Sequence, residues 1–125
     1  MQRDIIDPGE SFPKSANYSP AVRAGGWVLP SGQVGERADG SIPESFSEEV
    51  LLALHNLSTV LEAAGSDLAH VVRVEIVLVN MNDFAAMNEV YLATMPRPLP
   101  ARFTHGGALA PGYRVEFLAT AVVRD

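Results

Sequence analysis

Cysteine is absent from the 125-residue chain, which excludes disulfides, thiolate-held zinc and a thiol nucleophile. Charge is scarce as well. Only 19% of residues are Asp, Glu, Lys or Arg, against a usual share of about 25%. That deficit leaves less polar surface than a monomer ordinarily shows and hints at faces buried between copies. Basic residues are the scarcer sign: nine Lys and Arg against fifteen Asp and Glu give a net charge of −6. They form no cluster, and an acidic chain without a basic patch is unsuited to nucleic-acid backbones. No apolar run approaches the length of a membrane span, and Met1-Gln2-Arg3-Asp4-Ile5 lacks the charged-then-apolar pattern of a leader. The three histidines, His55, His70 and His105, have no metal-ligand spacing. The expectation is a soluble, cytoplasmic protein with no metal, no cofactor, no nucleic-acid partner and no membrane partner.

Hydrophobic residues, at 47%, supply a sizeable core for a single domain over residues 1–125. Residues 1–20 read as a short strand plus loop. Ala21–Leu29 reads as two strands about a Gly25-Gly26 turn, after which Ser31-Gly32-Gln33 interrupts the sheet and residues 35–44 form a loop. Ser45-x-x-Glu48 has the form of a capping box. Behind it Val50, Leu51, Leu54, Leu57, Leu61 and Ala64 recur at helical spacing up to Gly65, a fitting stop, so a helix is predicted over 45–64. Val71–Val79 is β-branched and reads as a strand. Asn82 or Asp83 is placed to cap a second helix through Met95, whose Met87, Tyr91, Met95 stripe belongs to the core. Ala101–Ala108 and Tyr113–Val123 complete the order ββ, α, β, α, ββ. The fold class is α+β, with one sheet and both helices on one face; the bare face then invites a partner subunit.

Pro96-Arg97-Pro98-Leu99-Pro100 cannot be helical, so Arg102 sits where a stiff loop feeds a strand. A rigidly mounted guanidinium suits a carboxylate, held through two parallel hydrogen bonds; the alternative is an ion pair with Glu89 or Glu116. Thr104 shares the strand face of Arg102 and His105 takes the opposite one.

Six stretches in register resemble the RidA (YjgF, reactive intermediate deaminase) family: Tyr18–Gly25, Ser31-Gly32-Gln33, Leu61–Gly65, Asn88–Tyr91, Pro100-Ala101-Arg102 and Arg114-Val115-Glu116. The resemblance runs over roughly residues 16–123. It implies a chorismate-mutase-like α+β fold with a mixed sheet, assembled as a homotrimeric barrel with clefts between subunits. It also implies hydrolysis of enamines and imines to a carbonyl compound and ammonia, although members described as ribonucleases or translation inhibitors exist too. Carried over by position, Arg102 binds a small-molecule substrate's carboxylate, Tyr18, Ser31, Gly32 and Asn88 line the cleft, and Thr104 faces it as a candidate to place the attacking water. One departure stands out. The family's Glu-Ile-Glu-Ala pattern, with its second Glu orienting the water, reads here Glu116-Phe117-Leu118-Ala119, which puts Leu118 at that place as an apolar cleft wall. Two further readings follow: a pathway-specific deaminase of another enamine (aminomuconate- or aminoacrylate-like), or a non-catalytic carboxylate-binding trimer.

Overall fold

A computed structural model describes residues 2–125. The elements run β1 (Arg3–Ile6), β2 (Ala21–Ala24), β3 (Trp27–Pro30), β4 (Gln33–Val34), α1 (Phe46–Ala63), β5 (Val71–Leu78), α2 (Phe84–Thr94), β6 (Ala101–Gly106) and β7 (Val115–Val122).

Local chemistry sets the boundaries of α1. The Ser45 hydroxyl accepts the Glu48 N–H at 3.3 Å. At the other end Gly65 has φ +84°, its N–H donates to Glu62, and the Ser66 N–H donates to Leu61. Those two bonds make the Schellman stop that the glycine announces. The buried stripe is Val50, Leu54, Leu57 and Leu61, joined by Ala53 and Val60. Leu51 instead faces outward at 51% exposure, because it lies about 100° around the helix from Val50. The second helix is capped differently from the sequence pattern. The Asn80 side chain accepts the Asn82 N–H, and a 3₁₀ turn over Met81–Asp83 leads into α2, whereas Asp83 makes no capping bond.

The sheet is mixed, ordered β1-β2-β3-β7-β5-β6, with β4 also pairing β7. Neighbours are antiparallel apart from β5 and β6, which run parallel and are joined through α2, as a parallel crossover requires. Where an interruption is predicted, the Ser31-Gly32-Gln33 stretch only steps out of line. The Ser31 hydroxyl donates to Ser19 O at 2.7 Å, and Gln33–Val34 rejoin the sheet opposite Phe117 and Glu116. The last strand starts two residues later than its apolar pattern suggests. The Arg114 N–H turns away to Glu49 Oε2 at 2.7 Å, and its guanidinium to Glu49 Oε1 at 2.6 Å.

Both helices cover one sheet face, and Val74, Ile76, Phe117, Ala119 and Ala121 meet Leu54, Leu57, Leu61, Met87 and Tyr91 there. The other face is bare. Alternation puts Trp27, Leu29, Phe103 and Leu118 on it, each 46–52% exposed. No helix among the described residues is long and apolar enough to cross a membrane.

Candidate active site

Arg102 is the second residue of β6, an edge strand, and lies opposite Val74 of β5. Val74 is fully buried beneath the helices, so Arg102 projects to the helix side. There its Nη1 donates to Asn88 Oδ1 at 2.6 Å. The guanidinium carbon stands 4.9 Å from the Tyr91 ring centroid and 5.6 Å from that of Phe84. Two aromatic faces and one amide thus fix the cation without neutralising it. The ion pair with Glu89 or Glu116 is not made; among the described residues no carboxylate lies within salt-bridge distance of Arg102. Thr104, opposite Ile76, shares that face, and its hydroxyl oxygen is enclosed with no hydrogen-bond partner. Arg102 and Asn88 are thus bonded to each other, and Thr104 stands on the same side of β6.

The remaining candidates gather elsewhere. Tyr18 and Gly32 border a cavity of about 50 Å³ that Lys14, Gln33 and Glu36 also line. Tyr18 is 61% exposed, too open to position a substrate without a covering surface. The Ser31 side chain is committed to Ser19 O, and its carbonyl accepts from Gln33 Nε2 at 3.0 Å, so this residue holds the loop in shape. Gly32 is needed for its size: a β-carbon there would stand 2.1 Å from Glu116 Oε2. Burial pushes the Glu116 carboxyl above the ordinary range. Nearby, the Tyr113 phenol donates to Glu36 and is pushed up to about 12 by that bond and by burial.

The sequence reading places Glu116 in a family pattern and as an ion-pair candidate; what it misses is the contact with Gly32. A glycine beside a strand is the one signal that could have raised it, through the close approach a glycine permits. Leu118 lies two positions on, 46% exposed on the bare sheet face and opposite Glu75. Glu75 is in turn bonded to His105 Nε2 at 3.0 Å, and the His105 ring stacks on Phe103 with centroids 5.0 Å apart. His105 thus occupies the face opposite Arg102, as alternation predicts.

The two groups cannot form one site within one chain. Glu116 pairs with Val77 and Arg102 with Val74, so they lie on opposite sheet faces with β5 between them. A single chain presents the cation at one edge, and the glycine, tyrosine and carboxylate on another surface.

The family described as endoribonuclease L-PSP matches residues 9–123. The mouse protein named 2-iminobutanoate/2-iminopropanoate deaminase is 42% identical over 123 residues, covering 96% of this chain and 91% of its own length. Among solved structures, RidA from the Antarctic bacterium Psychrobacter superposes with a TM-score of 0.90 at 32% identity, over 96% of this chain and 99% of that one. E. coli TdcF, solved with bound serine, gives a TM-score of 0.87 at 27% identity, over 97% and 99% of the two chains.

Proposed function

Because the chain belongs to the endoribonuclease L-PSP (YjgF/RidA) family, we propose that it is an imine deaminase. It hydrolyses 2-imino acids, such as 2-iminobutanoate and 2-iminopropanoate, to 2-oxo acids and ammonia. The name of the mouse relative supports this substrate class. The observation that carries the reading is Arg102: a guanidinium clamped by Asn88, Tyr91 and Phe84 with no carboxylate among the described residues to neutralise it. Such a cation is free to bind an anion from solution, and the serine bound to TdcF shows a carboxylate-bearing ligand on a related fold.

The site forms between copies. One chain brings Arg102, Asn88 and Thr104, and its neighbour brings Tyr18, Gly32 and Glu116. The exposed apolar side chains of the bare sheet face, Trp27, Leu29, Phe103 and Leu118, supply a surface for that association, and a homotrimer is the assembly this reading carries.

The chemistry asks little of the protein. A protonated imine is already electrophilic, and the site must hold the carboxylate, orient C2 and admit a water. The water oxygen bonds to C2 as the C=N π pair moves to nitrogen. Glu116 accepts one proton of the water and delivers it to nitrogen; it then takes the proton left on the new hydroxyl as the C=O forms and the C–N bond breaks, and passes it to the departing ammonia, so that the 2-oxo acid and ammonium remain. Water and imine balance ammonia and ketone with no oxidant or reductant. A carboxyl raised toward neutrality exchanges protons more effectively than one of ordinary acidity. The Thr104 hydroxyl, without a partner of its own, helps place the water.

The test generates 2-iminobutanoate in situ with an amino-acid oxidase and follows 2-oxobutanoate and ammonia. Acceleration over the uncatalysed hydrolysis is expected. A folded, assembled protein that accelerates none of several imino acids overturns the reading.

A further inference from the structure

Beside Arg102 lie two hydroxyl oxygens, Tyr91 Oη and Thr104 Oγ1, enclosed by the protein and without a hydrogen-bond partner. Buried hydroxyls are ordinarily bonded, so each exception asks for an explanation. Tyr91 is 1% exposed. Its ring lies parallel to that of Phe117 with centroids 6.4 Å apart, which holds the side chain in the core and keeps the hydroxyl from swinging out to water. Burial also holds its phenol above the ordinary value, so the group stays a proton donor across the neutral range. The same ring carries the Arg102 guanidinium on its face at 4.9 Å. Asn88 Oδ1 occupies one guanidinium nitrogen and leaves the other donors for a ligand.

We propose that the Tyr91 hydroxyl belongs to the anion site of Arg102. A planar carboxylate takes the guanidinium donors that Asn88 leaves free, and one of its oxygens also takes the Tyr91 hydroxyl. The Thr104 hydroxyl, on the same strand face as Arg102, takes its partner from the attacking water. The free protein thus keeps two donors unsatisfied, and substrate and water give them partners. This deepens the reading of Arg102 as a carboxylate anchor and rests on it. It also separates two tasks of Tyr91: the ring supports the cation, and the hydroxyl binds the anion.

Tyr91→Phe keeps the ring and removes only the hydroxyl. Binding of 2-oxobutanoate to the assembled protein is measured by calorimetry, and the melting temperature of the free protein is taken alongside. Loss of a hydrogen bond to a charged acceptor should weaken binding by roughly ten- to a hundredfold. The melting temperature of the free variant should stay the same or rise, since an unsatisfied buried group has gone. Unchanged affinity in Tyr91→Phe, with the wild type binding, overturns this inference and leaves the carboxylate reading standing. A clear fall in the free variant's melting temperature overturns it too, because the hydroxyl would then have a structural partner. A wild type that takes up no 2-oxobutanoate overturns the carboxylate reading of Arg102 and this inference together.

Discussion

Gly32 and Glu116 are in contact across the β4–β7 pair, so close that a β-carbon on Gly32 would fall 2.1 Å from Glu116 Oε2 and 2.8 Å from its carboxyl carbon. The glycine therefore sets where the carboxylate rests. Gly32→Ala should displace the carboxyl, which is the far end of a flexible side chain, and leave the backbone in place. Stability should drop by no more than about 1 kcal/mol, the low end for overpacking. Imine hydrolysis should fall by at least about tenfold if Glu116 moves protons. Denaturant titration and kcat on the same preparation check both; a variant with full activity would detach Glu116 from the chemistry.

Glu116→Gln probes the carboxylate directly. Loss of a general acid–base group should lower kcat by about 10²- to 10⁴-fold. The pH dependence has a definite sign. Burial raises the folded-state pKa, so the base form is lost as pH falls through a value above the ordinary glutamate range, and the acid limb of the kcat profile should be shifted upward accordingly. The same shift means that Glu116 favours the fold in its protonated form. That contribution is full below the unfolded pKa and is lost as pH rises through the folded one. At neutral pH the Gln variant should be at least as stable as wild type while hydrolysing slowly. Melting curves and rate profiles across pH 4 to 8 decide the matter, and a variant that loses stability and activity in parallel at neutral pH counts against the role.

Local signals were legible in the chain; long-range ones were not. Ser45 and Gly65 announce the ends of α1 because capping is decided within a few residues. The alternation of Arg102, Phe103, Thr104 and His105 gives their faces, because a strand's period of two needs no knowledge of its neighbours. The contact of Gly32 with Glu116 is different, since it depends on a two-residue strand, Gln33–Val34, finding β7. Two residues carry too little pattern to be seen as a strand. The Asn80 cap is hidden from the helical pattern because the 3₁₀ turn over Met81–Asp83 moves the start of α2. The division of the site between sheet faces follows from the pairing of β5 with both β6 and β7, which sequence spacing alone does not contain.

Arg102→Lys keeps the charge and loses the fork. Lysine cannot grip a carboxylate through two parallel bonds or stack flat on the Tyr91 face. KM for 2-iminobutanoate should rise by about tenfold or more, and Arg102→Ala should abolish measurable hydrolysis. Both variants should melt within a few degrees of wild type, because Arg102 is only half-buried and pairs with no carboxylate among the described residues. Steady-state kinetics with a melting control test this; a wild-type KM in the Lys variant would show that substrate does not dock on the guanidinium.

Glu49 is fully buried, and Arg114 closes over it through both a backbone and a side-chain bond at 2.7 and 2.6 Å. The guanidinium also donates to the carbonyls of Pro43 and Glu44, which pins the loop before α1. Arg114→Met would strand the buried carboxylate, a change that costs about 3–5 kcal/mol. Urea unfolding should show that loss as a lower midpoint with little change in slope. The double variant Glu49→Gln with Arg114→Met should recover part of it, since the uncompensated charge is gone; a double variant less stable than Arg114→Met would mean that the charge is not the source of the penalty.

Leu118→Glu sets the two carboxylate positions of β7 against each other. Leu118 lies directly opposite Glu75, whose carboxylate holds His105 at 3.0 Å. A second acid there places like charges across the strand pair, which is destabilising by up to about 1 kcal/mol, and it competes for His105. It also puts a charge on the bare sheet face that otherwise offers Trp27, Leu29 and Phe103 to a second copy. Weaker self-association in sedimentation is therefore expected, together with no gain in the rate toward small imino acids, because Glu116 already stands at Gly32. A Leu118→Glu variant that remains assembled and hydrolyses small imino acids faster would move the water-orienting role from position 116 to position 118, and would make Leu118 the feature that turns this chain toward a different enamine.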